Sequence, residues 1–140
     1  MGYYVHVHVC FACNKNDGVA ALAKKHRPLL PSDSEGVREA GWFLDSLAER
    51  TGHNPGPKGG LSMWGMVGNY TRVDEFVEVL RPFWLDLLGD IDGGPCDFEH
   101  ILVFEEREQT ERTTAYEIIK NDDNAIEVKK HECSFTFMQM

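Results

Sequence analysis

Tyr3-Tyr4-Val5-His6-Val7-His8-Val9-Cys10-Phe11 alternates strictly between two kinds of side chain. Tyr3, Val5, Val7, Val9 and Phe11 fall on one face of a period-two strand, and Tyr4, His6, His8 and Cys10 fall on the other. The first set is β-branched and aromatic, which predicts a strand with one face against a core. The second set, two imidazoles and a thiol in a row, is not the composition of a plain solvent face and marks a stripe able to hold a ligand.

Outward from this strand the period changes. Asn14 to Asp17 reads as a turn with Asn16 or Asp17 as N-cap, and Val19, Leu22, Ala23 and His26 recur at helical spacing before Pro28. Ser32 and Glu35 stand at capping-box spacing, and Val37, Ala40, Gly41, Leu44, Leu47 and Ala48 form an amphipathic stripe over Glu35 to Arg50. Residues 51 to 60 hold two prolines and four glycines and are expected to be a long loop. Leu61 to Val67 offers a short strand, after which Thr71 and Asp74 cap a third helix with the broad stripe Val73, Phe76, Val77, Leu80, Phe83, Trp84, Leu87 and Leu88. Pro82 either kinks that helix or opens a new one.

The last third reads as strands. Phe98 to Glu106 is apolar on both faces at Ile101 to Phe104 and is expected to be central in the sheet. Arg112 to Ile119 follows, then a tight turn at Asn121-Asp122-Asp123-Asn124 and a final strand. In that strand Ile126 and Val128 are apolar at even positions, whereas His131, Cys133, Phe135 and Phe137 continue at odd ones, so a bulge near Lys129-Lys130 is predicted. The resulting order, β-α-α-β-α-β-β-β, implies an α+β fold: one domain over residues 1–140 with a mixed, mostly antiparallel sheet of about five strands and helices mainly on one face.

With 140 residues and 42% hydrophobic content the chain can bury a core, and no apolar run is long enough to span a bilayer. No cationic segment followed by an apolar core opens the sequence, so a cytoplasmic protein with its four cysteines as free thiols is expected. The 23 acidic and 14 basic side chains leave a net charge of −9, which argues against nucleic acid and anionic membranes and for a basic protein partner. Seven acids between Asp74 and Asp97 face Arg81 alone; they read as a solvated helix face, with Glu75, Glu78, Asp86, Asp90 and Asp92 as the acids a basic partner would meet. A homodimer is compatible with all of this.

No complete catalytic or nucleotide motif occurs. Gly60-Leu61-Ser62-Met63-Trp64 has tryptophan where a nucleophile elbow requires glycine, and Lys58 precedes its glycine pair rather than following one as in a P-loop. Asp90, Asp92 and Asp97 lack the frame of a calcium loop. Two functional readings follow. The leading one is a non-catalytic protein-binding domain of inhibitor or immunity type, with Tyr4, His6, His8, Cys10, Lys58 and Trp64 as binding residues and no cofactor. The other is a zinc or thiol-dependent site built on His6, His8, Cys10 and Cys13, joined by His131 and Cys133 if the last strand lies alongside. A third, an enzyme whose site is assembled from distant residues, is open because acid–base groups need only spatial proximity. Trp42, Trp64 and Trp84 are expected in the core or at its edge, with Trp64 nominated for a surface contact.

Overall fold

Alternation in the first strand is what the fold is built on. In the computed structural model, which describes residues 4–12, 16–31, 35–49, 61–69, 72–89, 100–107 and 112–134, β1 spans Tyr4–Ala12 and buries Val5, Val7, Val9 and Phe11 almost completely. Helix α1 (Asn16–His26) follows, ending in a short 3₁₀ turn that carries Pro28. Then come α2 (Glu35–Ala48), β2 (Leu61–Asn69), α3 (Val73–Val79), α4 (Arg81–Leu87), β3 (His100–Arg107), β4 (Arg112–Lys120) and β5 (Ile126–Ser134). Of β2 the backbone alone is described.

The five strands form one sheet in the order β2-β1-β3-β4-β5. Every neighbouring pair is antiparallel, so the sheet is not mixed. The reason lies in how the two helical connections are used. The α1–α2 pair returns the chain beside β1 in the opposite sense. The α3–α4 pair then carries it over β1, so that β2 and β3, which run parallel, never touch. All four helices contribute to one core with the Val5 face of the sheet, where Ile101, Val103, Tyr116 and Ile118 join Phe43, Leu44, Leu47, Phe76, Leu80, Phe83 and Leu87. Trp84 is fully buried in this layer, its indole N–H donating to the Val77 carbonyl at 2.9 Å, with the Phe43 and Phe83 rings against it.

Of the two readings of Pro82 the second holds: it opens α4, lying in the first turn where its missing N–H costs nothing. Three details differ from the sequence reading. The N-cap of α3 is Arg72, whose side chain makes no capping bond; Thr71 lies outside the described residues, as do Ser32, Asp90, Asp92 and Asp97. No bulge interrupts β5, because its register with β4 runs unbroken from Lys120↔Ile126 to Arg112↔Ser134. The switch of apolar parity in β5 therefore marks no change of facing; Lys130 and Glu132 simply occupy the helix-side positions beyond Val128. Finally, Trp42 is 55% exposed, since it sits on the opposite side of α2 from the buried Ala40, Leu44 and Leu47.

Candidate binding face of the sheet

The face of the sheet turned away from the helices is built from the even residues of β1. His6, His8 and Cys10 are half-buried there, and the register puts Glu106, Phe104 and Leu102 of β3 directly beside them. Beyond β3 the same rows continue into β4 as Thr113, Ala115 and Glu117, and into β5 as Cys133, His131 and Lys129. An apolar and imidazole centre, Cys10, His8, Leu102, Phe104 and Ala115, is thus framed by charge at one end and along β5. Tyr4 takes part through its backbone, paired with Asn69, and the backbone of Trp64 pairs with Val9. Lys58 and Cys13 lie outside the described residues.

The His131-Glu132-Cys133 segment does not complete a ligand set with β1. Two strands stand between β1 and β5, which at roughly 4.8 Å per strand separates His8 from His131 by about 14 Å. His131 instead approaches Glu117, 3.5 Å away, while Glu132 belongs to the other face. Among the described residues no three His, Cys, Asp or Glu side chains converge as metal ligands. Cys10 is a free thiol, and burial pushes its pKa up, away from the thiolate that a nucleophile uses.

The acids expected to attract a basic partner from α3 and α4 are engaged within the chain. Glu78 is held by Arg81 through two hydrogen bonds, Arg72 approaches Glu75 at 3.8 Å, and Asp86 is bridged to Lys25 at 3.0 Å. Different acids are left over. Glu106 and Glu127 are exposed on the open face, Asp122 and Asp123 are exposed at the β4–β5 turn, and no ion pair neutralises any of them among the described residues.

Compared with known proteins, the chain matches no family model, no curated protein and no solved structure. What can be said of its chemistry therefore comes from its own geometry.

Two polar clusters on the helix side escaped the sequence reading. Glu105 is buried beside β4, and its carboxylate accepts two hydrogen bonds from Arg107 on the same strand, at 3.2 and 3.3 Å. Tyr116, one register step away, is 5% exposed, with the Lys130 ammonium 5.8 Å from its ring centre. Burial, reinforced by the negative charge of Glu105, pushes the Tyr116 phenol up to about 12, which keeps it protonated at neutral pH. A carboxylate held by its own arginine and a phenol that does not ionise are poor acid–base catalysts. The odd numbering of Glu105, in step with Ile101 and Val103, was the signal available in the sequence.

The second cluster joins α1 to α4. His26 Nε2 lies 2.6 Å from the Asp86 carboxylate, and its ring meets Phe83 edge-on at 5.8 Å. In a hydrolytic triad the carboxylate holds Nδ1 and leaves Nε2 for the nucleophile. Here the carboxylate occupies Nε2 and the histidine is 7% exposed, so the pair fastens two helices.

Proposed function

We propose that this is a non-catalytic protein-binding domain that docks a cationic protein on the open face of its sheet, in the manner of an inhibitor or immunity-type protein. The observation that carries the reading is the composition of that face: half-buried Cys10, Leu102, Phe104 and Ala115 with His6 and His8, opposite the face that the helices cover. An apolar centre with a charged rim is the anatomy of a protein interface. The charge of the partner follows from Glu106 and Glu127 on the same face, unpaired among the described residues, and from a net charge of −9 on the chain. A nucleophilic role for the Cys10 thiol draws no support from the burial that holds it in its protonated form.

Phe104 lies at the centre of the middle strand, so Phe104→Arg removes apolar contact and places a cation where a cationic partner would sit. A partner recovered with the wild-type chain should fail to bind the folded Phe104→Arg variant. Its association with the wild type should slow as salt is raised, because the attraction is screened beyond a Debye length of about 8 to 10 Å. Undiminished binding by the folded variant, or an association rate indifferent to ionic strength, would reject the reading.

A further inference from the structure

The two edges of the sheet are treated in opposite ways. β5, at one edge, reads Ile126-Glu127-Val128-Lys129-Lys130-His131-Glu132-Cys133-Ser134, with five ionisable side chains besides its thiol. β2, at the other, reads Leu61-Ser62-Met63-Trp64-Gly65-Met66-Val67-Gly68-Asn69 and contains no charged residue and no proline. Its register with β1 is unbroken over nine pairs, from Tyr4↔Asn69 to Ala12↔Leu61, so no bulge turns the edge aside. Edge strands expose a row of backbone donors and acceptors, and folded proteins blunt them with charge, proline or bulges. By this measure β5 is protected and β2 is open for pairing. Among the described residues no strand lies on its outer side.

We infer that β2 pairs antiparallel with β2 of a second copy, joining two five-stranded sheets into one of ten. The strand is self-complementary about its central residue. A two-fold axis at Gly65 sets Met63 opposite Val67 of the second copy and Trp64 opposite Met66 of the second copy, so apolar positions meet apolar positions next to the axis, while Ser62 meets Gly68 and Leu61 meets Asn69 at the ends. Glycine at the axis adds no side chain where the two backbones are symmetric. Charge favours the same place: two chains of −9 repel over most of their surfaces, but along Leu61–Asn69 no like charges are brought together. Nine paired residues supply about nine backbone hydrogen bonds, within the usual complement of a protein interface, roughly ten.

Light scattering on the eluting protein, over a range of loading concentrations, should give twice the chain mass for the wild type. Met63→Lys combined with Val67→Lys puts four cations around the axis and should halve that mass while leaving the circular dichroism unchanged. Phe104→Arg should leave the dimer intact, which separates this edge from the open face proposed for a partner. A single-chain mass for the wild type at every concentration would overturn the inference, and so would a folded double-lysine variant that stays dimeric. If the double variant does not fold, hydrogen exchange on the wild type decides: the amides of residues 61–69 should lose protection on dilution while those of 126–134 do not. Protection of 61–69 that does not depend on concentration would equally reject the pairing.

Discussion

Tyr116 shows how one residue's surroundings set its chemistry. Its position opposite Val103 puts the phenol under the helices, next to the carboxylate of Glu105, and both burial and that charge oppose ionisation. In the unfolded chain a phenol ionises near pH 10, whereas in the fold it does so at about 12. The folded state therefore holds the proton more tightly. The stability linked to this group is present below about pH 10 and is lost as the pH rises through the folded value. Phenolate absorbance should show a late-titrating tyrosine, and Tyr116→Phe should remove that late step and flatten the alkaline loss of stability. A variant whose alkaline profile matches the wild type would show that the phenol is not held in this way. Sequence parity alone placed Val5, Val7 and Val9 correctly in the core, because a row of three β-branched residues has one way to be buried. The same parity puts Glu105 on the core face, but its burial there as a carboxylate becomes legible only when Arg107 is seen holding it.

At the scale of elements, the helical layer is held by two specific contacts that periodicity does not report. The first turn of α2 lies directly on the first turn of α3: a Cβ added at Gly36 would come within 2.7 Å of Glu75 Cβ and 3.0 Å of the Phe76 backbone nitrogen. Replacing a helical glycine by alanine ordinarily stabilises by about 0.5 to 1 kcal/mol. At Gly36 the sign should reverse, with Gly36→Ala destabilising by about 1 to 3 kcal/mol because backbone must shift to admit the methyl group. A stabilised variant in urea unfolding would contradict the close approach of the two helices. The second contact is the α1–α4 latch. Burial works to raise the pKa of Asp86, but the hydrogen bonds from His26 and Lys25 outweigh it and hold the carboxyl below the usual range. Its contribution to stability is accordingly present above the ordinary aspartate pKa of about 3.9 and is lost as pH falls through the lower folded value. The gap in urea midpoint between wild type and Asp86→Asn should be widest at neutral pH and close in acid. A gap independent of pH would mean that the ionised carboxylate is not what joins the helices. The stripes of α1 and α2, by contrast, were visible in the sequence apart from the fully buried Phe43 of α2, as was the start of α4 at Pro82 as one of two outcomes.

For the molecule as a whole, the two proposed surfaces are compatible because they use different parts of one sheet. Pairing at β2 would extend the open face across two chains and leave the rows of His6, His8, Leu102 and Phe104 outside the new seam, so a dimer would offer two copies of the binding face on a single surface. The five described strands, the helices with the break at Pro82 as one of two outcomes, and the covered face of the sheet follow from local pattern, since the alternation and the 3.6-residue stripes are properties of contiguous sequence. Which strands are neighbours is not local. That β1 lies between β2 and β3, that His131 stands about 14 Å from His8, and that Asp86 is held by Lys25 and His26 were decided by tertiary packing alone, whereas the Glu78–Arg81 pair, three residues apart, is local. The same packing made an edge of β2: its lack of charge was readable from the start, but it acquires a meaning only once the sheet ends there, because unpaired backbone groups exist at an edge and nowhere else in a sheet.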